Sequence, residues 1–290
     1  MALYSNLSLF FINLFTRLVP RWVFPPFAAF TGWLLYFFVP RQRRGCRANL
    51  RVVTGKRNVE LLVLSAFYKY SLNWADVMLM TRLTGDSLFK LIGTMSPGKA
   101  LDAALAAGTG AILISPHLGN WELGGLGMAD LGYRLNILTF REPDQKVNEQ
   151  RELMRGERGI GIIYVDRHDS SPLAIIEAVN ALRRNEIVVL LGDRDGSSHT
   201  LTVDFFGRPT PFPAGAAYLS IATGAPVFPV FVPLEGMRYA TYMEEPIYFR
   251  QGHHEHAAAI SSGTQQLANI FEKYIRKYPD QWYNFFDYWG

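Results

Sequence analysis

Residues 115–125 read SPHLGNWELGG and hold a histidine and a carboxylate five positions apart, among residues that favour turns. Histidine titrates near neutral pH, and a carboxylate on one ring nitrogen fixes the tautomer and strengthens the other nitrogen as a base. The pair therefore suits general-base chemistry. On a regular helix, residues five apart point about 140° away from each other. His117 and Glu122 can meet only if the histidine lies in a loop and the helix begins after it. The intervening residues supply that break: Pro116 ends the preceding run, Gly119 permits a turn and Asn120 is a favourable N-cap. Glu122 then falls in the first helical turn, where the helix dipole favours a carboxylate. A histidine that merely closes a strand and fills a gap is the structural alternative. The sequence of strand, turn, His and Gly-x-x-Glu favours chemistry over it. Asn120 and Trp121, beside the pair, join it as candidate substrate-binding residues.

The elements that must position this turn follow from the patterning. AILIS (111–115) is a short buried strand, RLNILTF (134–140) a second, GIIYV (161–165) a third, and IVVLLGD (187–193) the clearest of all. Another strand follows in APVFPVFVP, after the small-residue helix AGAAYLSIATG (214–224). Helical spacing marks 59–83, 147–155 and 257–278, while Ser96-Pro97 and Ser171-Pro172 read as capped helix starts. Strands alternating with helices predict an α/β fold with a mixed, largely parallel sheet flanked by helices. In such sheets ligands collect beyond the carboxyl ends of the strands. Both the His117 turn and the DRDG after 187–192 stand at such ends.

Asp193 and Asp195 in DRDG either cap their own turn or act in substrate binding or charge balance for Arg167. A third oxygen ligand for Mg²⁺ is not evident there. HHEH (253–256) lacks a tetrahedral ligand set and reads as a solvated loop, so no metal is expected. Cys46 is the only cysteine, which excludes an internal disulfide and fits a reducing compartment.

Of the 29 basic residues, nine lie in the first 59, which contain none of the 25 acidic ones. The remainder is net negative. These cations flank aromatic-rich apolar sequence, which suits an anionic membrane surface better than nucleic acid. WVFPPFAAFTGWLLYFFV (22–39) runs uncharged for about 27 Å if helical, close to one hydrocarbon thickness, although Pro25, Pro26 and Gly32 count against a regular span. Residues 2–16 lack the basic start of a cleavable signal. The expectation is an N-terminal hydrophobic, membrane-associated helical segment over 1–57, spanning or lying on the bilayer, followed by a catalytic domain over 58–290. A helical hairpin packed on the protein's own core is the alternative.

HLGNWE resembles the H-x-x-x-x-(D/E) signature of glycerolipid-type acyltransferases, and specifically of the bacterial lipid A biosynthesis (lauroyl/myristoyl) acyltransferase family. The likeness extends to RANL (47–50), FRE (140–142), VDRHD (165–169), LLGDRDG (190–196), VDFFG (203–207) and PDQWYNFFDYW (279–289). The resemblance implies an O-acyltransferase that moves a fatty acyl chain from an acyl carrier protein or coenzyme A thioester to a hydroxyl of a lipid or glycolipid. His117 is then the general base and Glu122 its orienting partner, with no further cofactor. Direct attack on the thioester fits a chain with no G-x-S-x-G elbow. The resemblance also implies that Arg141 and Arg167 bind phosphate or carbonyl groups; surface pairing with Glu142, Asp166 or Asp169 is the alternative. Trp121, Leu126 and Met128 are expected to line the acyl tunnel by their closeness to His117. The setting implied is the bacterial inner membrane with the active site facing the cytoplasm, where an acidic carrier protein could meet the basic collar.

The closing aromatic segment is either core or a membrane-interface belt. Relatives commonly carry a basic pair there, where this chain has Phe286 and Asp287. That departure counts against a doubly phosphorylated lipid A precursor as acceptor and leaves the acyl transfer untouched. Two rival readings remain: a lipid hydrolase or thioesterase using the same pair on water, and a non-catalytic lipid-binding protein.

Overall fold

A computed structural model describes residues 6–93, 98–140, 149, 152, 155–165, 173–194, 200–249 and 256–290. Its centre is β1 (Ala111–Ser115), buried at all five positions. A strand covered on both faces needs a continuous apolar run, as AILI supplies. β1 lies between β4 (Ile187–Leu191) and β7 (Val227–Phe231), both parallel to it. Beyond β4 come β2 (Leu135–Phe140) and β3 (Gly161–Val165), and beyond β7 the short antiparallel β10 (Tyr242–Met243). The mixed, largely parallel sheet expected from the pattern is present.

Alternate side chains of β1 enter opposite cores, as the two-residue strand period requires. Ile112 and Ile114 join a core with α8 (Leu173–Arg183), α9 (Gly215–Thr223), α10 (His256–Lys277) and Trp282 of the C-terminal tail. Ala111 and Leu113 face the other core, shared with α4 (Glu60–Met80), α6 (Lys99–Ala106) and α7 (Trp121–Asp130). Leu126 and Met128 of α7 are buried in this second core together with Leu72, Met80 and Leu113. The short α5 (Asp86–Phe89) adds Leu88 to it.

One hairpin escapes the sequence pattern. β5 (Thr200–Asp204) pairs with β6 (Pro209–Pro213), whose Pro-Thr-Pro-Phe-Pro argues against a strand. The three prolines occupy alternate positions, so each missing N–H points away from β5 and the ladder loses nothing. A second small hairpin, β8 (Leu234–Glu235) with β9 (Arg238–Tyr239), follows β7.

Residues 6–57 include α1 (Asn6–Leu18), α2 (Phe24–Phe38) and α3 (Pro40–Thr54), joined by a 3₁₀ turn at Arg21–Val23 and a sharp bend at Val39. Among the described residues no helix is both long and apolar enough to cross a membrane; α2 and α3 pass such a test only together, bent by 99°. α2 runs along α4, and Gly32 makes the close approach possible: a Cβ there would stand 2.8 Å from the Tyr68 backbone. The outward side chains Phe11, Leu14, Leu18, Trp22, Phe30, Trp33, Phe37 and Phe38 are exposed. Single exposed apolar residues are ordinary, but seven on two successive helices and Trp22 in the turn between them make a surface that water alone does not explain.

Replacing Gly32 by valine should destabilise the fold by about 1–3 kcal/mol, because backbone rather than a flexible side chain blocks the new methyls. Urea denaturation followed by far-UV circular dichroism measures this.

Candidate active site

The turn after β1 is built as its residues require. Asn120 caps α7, its Oδ1 accepting the Leu123 N–H at 2.9 Å, and Glu122 lies in the first turn. Gly119 has φ +68°, and a Cβ on it would come within 2.2 Å of the Val232 carbonyl oxygen. Only glycine fits. The backbone is held on two sides: Asn120 N–H donates to Val232 O (2.8 Å), Gly119 N–H to Gln281 O (3.0 Å), and Tyr283 N–H to His117 O (2.8 Å).

The carboxylate on the histidine is Asp193. His117 Nδ1 lies 2.5 Å from Asp193 Oδ1, and the His117 backbone N–H donates to the same oxygen at 3.0 Å. Trp282 Nε1 and Asn284 Nδ2 donate to Oδ2 at 2.8 and 3.2 Å. An ionised carboxylate only accepts, so Nδ1 carries the proton and the ring's lone pair is on Nε2. Burial alone would raise the Asp193 carboxyl. The attraction and hydrogen bond of His117, with Arg194 and Trp282, outweigh it and hold the group well below the usual carboxylate range. The His117 side chain itself is 16% exposed, while Asp193 is sealed.

This differs from the sequence expectation, which paired His117 with Glu122. The Glu122 carboxylate is engaged by Arg155: NH2 donates to Oε1 at 2.6 Å and Nε to Oε2 at 3.3 Å, with both residues buried. The physical reason lies in the sheet. β1 and β4 are neighbours with Ser115 opposite Leu191, so His117 and Asp193 each stand two residues past a paired position. Trp121 meets the His117 ring edge to face, 5.4 Å between centroids. Arg141, Arg167 and Asp195 lie outside the described residues, as do the Ser96-Pro97 and Ser171-Pro172 caps, most of 147–155, and 253–255.

The C-terminal tail forms the back wall of the site. Besides Trp282 and Asn284, the Tyr288 hydroxyl donates to the Asp193 carbonyl. Arg194 binds Asn284 Oδ1 (2.6 Å) and Tyr283 O (2.7 Å). The tail is fastened in turn by buried Asn49 of α3: its amide donates to Asn284 O and Phe286 O, both 2.8 Å, and accepts Tyr288 N–H at 2.9 Å. From α4, Lys69 and Ser65 bind Asp280. Sequence reasoning quoted RANL and the tail as motifs but assigned Asn49, Trp282 and Asn284 no task, and it did not single out Arg155 or Arg194. Cys46 is buried and its thiol is pushed up to about 12 by desolvation, which removes it as a nucleophile at neutral pH. No cluster of three metal-ligating side chains occurs among the described residues.

A histidine held by a sealed carboxylate stands at the carboxyl edge of a parallel sheet, the place where α/β enzymes collect their ligands. The family model for bacterial lipid A biosynthesis acyltransferases matches residues 4–289, and the chain belongs to that family. It is an acyltransferase. Among its relatives are phosphatidylinositol mannoside acyltransferases: that of Mycobacterium tuberculosis H37Rv is 28% identical over 245 residues, covering 84% of this chain and 75% of the relative. The one from Mycolicibacterium smegmatis is 26% identical over 240 residues, covering 82% and 76%.

Asp193→Asn keeps the shape but turns an amide N–H₂ toward a donor, and should cost about 1–3 kcal/mol at pH 7. A depressed carboxyl contributes stability that is complete above the ordinary Asp pKa of about 3.9 and is lost as pH falls toward the lowered native value. Urea midpoints at pH 7 and pH 3 should therefore differ less in Asp193→Asn than in the wild type.

Proposed function

We propose that the protein transfers a fatty acyl group from a carrier-protein or coenzyme A thioester to a hydroxyl of a membrane glycolipid, with His117 as general base. The observation that carries this reading is the sealed Asp193 carboxylate on His117 Nδ1, which leaves Nε2 as the basic atom of a partly exposed ring. Nε2 takes the proton as the acceptor oxygen forms a bond to the thioester carbonyl carbon. The resulting oxyanion draws on backbone donors at the start of α7, and the C–S bond breaks as the imidazolium returns the proton to the leaving thiolate. Asp193 supplies the orienting charge that the sequence assigned to Glu122. Glu122 with Arg155 braces the first turn of α7 from the other side.

A glycolipid acceptor is supported by the mannoside named for the mycobacterial relatives, while Phe286 and Asp287 at the tail count against a doubly phosphorylated one. The exposed apolar side chains of α1 and α2, with a first 59 residues that carry only basic charge, support seating on an anionic leaflet. In this reading the protein works at the cytoplasmic face of a bacterial inner membrane, and its acceptor enters without leaving the bilayer.

Purified protein incubated with acyl carrier protein or coenzyme A thioesters and lipid extract should yield acylated glycolipid by mass spectrometry. His117→Ala should lower the rate on the order of 10²–10⁴-fold. Free fatty acid with no acylated lipid would instead mark a hydrolase, and an unchanged His117→Ala yield a different mechanism.

A further inference from the structure

Between α1 and α2 the chain carries an arginine with two different settings for its two ends. Arg21 sits between Leu18 and Trp22, which are 74% and 77% exposed, yet its guanidinium turns inward. Nε and NH2 bind the two oxygens of Asp76 on α4 at 2.8 and 2.9 Å, and NH1 donates to the Met237 carbonyl at 2.6 Å. Asp76 is fully buried, and its Oδ2 also accepts the hydroxyl of buried Tyr239 at 2.9 Å. One guanidinium thus holds a core helix, and with it both the turn and the last residue of the β8–β9 hairpin.

That hairpin reaches the histidine. Leu234, opposite Tyr239, has its N–H and C=O both clasped by the Gln281 amide, at 2.7 and 2.9 Å. Gln281 O accepts the Gly119 N–H, and Val232, two residues before Leu234, accepts the Asn120 N–H. The Ala240 N–H donates to Pro233 O at 2.9 Å, closing the hairpin base. Every step from Arg21 to the turn that presents His117 is a hydrogen bond or an adjacent peptide. The contact of Gly119 with Val232 O leaves the turn no slack on that side.

We propose that Arg21 is a positioning residue for His117: through Asp76, Tyr239 and the β8–β9 hairpin it ties the exposed apolar segment around Leu18 and Trp22 to the Gly119–Asn120 backbone. Seating that segment on a lipid surface then sharpens the placement of the base. The inference rests on His117 being the base and on α1–α2 meeting lipid; the link itself is readable without catalysis.

The test uses the full chain and Tyr239→Phe, which deletes one hydroxyl and leaves the Arg21–Asp76 pair and the ring packing in place. Hydrogen exchange should quicken at the Gly119 and Asn120 N–H groups while the β1 amides keep wild-type protection. For acyl transfer, kcat should fall roughly tenfold with the thioester KM unchanged, the pattern of a misplaced base rather than a lost binding contact. Phosphatidylglycerol vesicles should slow exchange at Gly119 and Asn120 in the wild type. They should do so less in Tyr239→Phe and in the neutral double variant Arg21→Gln with Asp76→Asn, which avoids stranding a buried carboxylate. Wild-type exchange and kcat in Tyr239→Phe would overturn the proposal, as would exchange that rises equally along β1, the mark of a purely structural staple. A protein that transfers no acyl group yet shows the exchange pattern would count against the proposed function and leave the link standing.

Discussion

A carboxylate removed from water must be met by donors, and Asp193 dictates much of what surrounds it. Its two oxygens take four donors from two stretches of chain: the His117 ring and backbone beyond β1, and Trp282 and Asn284 of the C-terminal tail. Leaving any of them out would strand charge in the core, where an unmatched group is far costlier than at the surface. The requirement draws the C-terminal tail across the sheet edge and holds the histidine in one tautomer. It also explains the tail's own supports, since Asn49, Arg194, Lys69 and Ser65 each satisfy a group that the tail would otherwise bury unpaired or leave loose.

The aromatic closing segment is therefore neither plain core nor plain interface belt. Trp282 packs against Phe205 and Phe206 of the β5–β6 hairpin while its N–H serves Asp193. An indole suits that post because one edge is apolar and the other is a fixed donor. The N-terminal helices show a similar division of labour. Arg43 and Arg47 of α3 turn inward, onto the Tyr36 ring and carbonyl and onto Glu60, while Arg41, Arg44 and Arg51 are exposed. The cations that read as one basic collar are thus two sets, one turned onto the protein and one exposed.

Much of the local structure was legible from residue order. The break that keeps His117 off α7, the Asn120 cap, the Gly119 turn, the five parallel strands and the long helix at 60–80 all follow from backbone preferences and apolar periodicity within a few residues. The β5–β6 hairpin was not, because its prolines are tolerable only on an edge, and edges are decided by what pairs elsewhere. Glu122 drew attention as the nearest carboxylate along the chain. In the folded chain the carboxylate on His117 Nδ1 is Asp193, and Arg155 binds Glu122.

Which carboxylate serves His117 depends on strand order. Residue order sets where each strand ends and what polar group follows it, since those are short-range choices of propensity and capping. It does not say that β4, rather than β2, lies beside β1, because that neighbourhood is settled by how two apolar faces are covered at once. With β4 in that place, Asp193 comes level with His117 across 76 residues of chain, and Glu122 is free to brace the helix with Arg155. The turn that presents His117 was written in the local sequence; the carboxylate that meets its ring was chosen by the packing of the sheet.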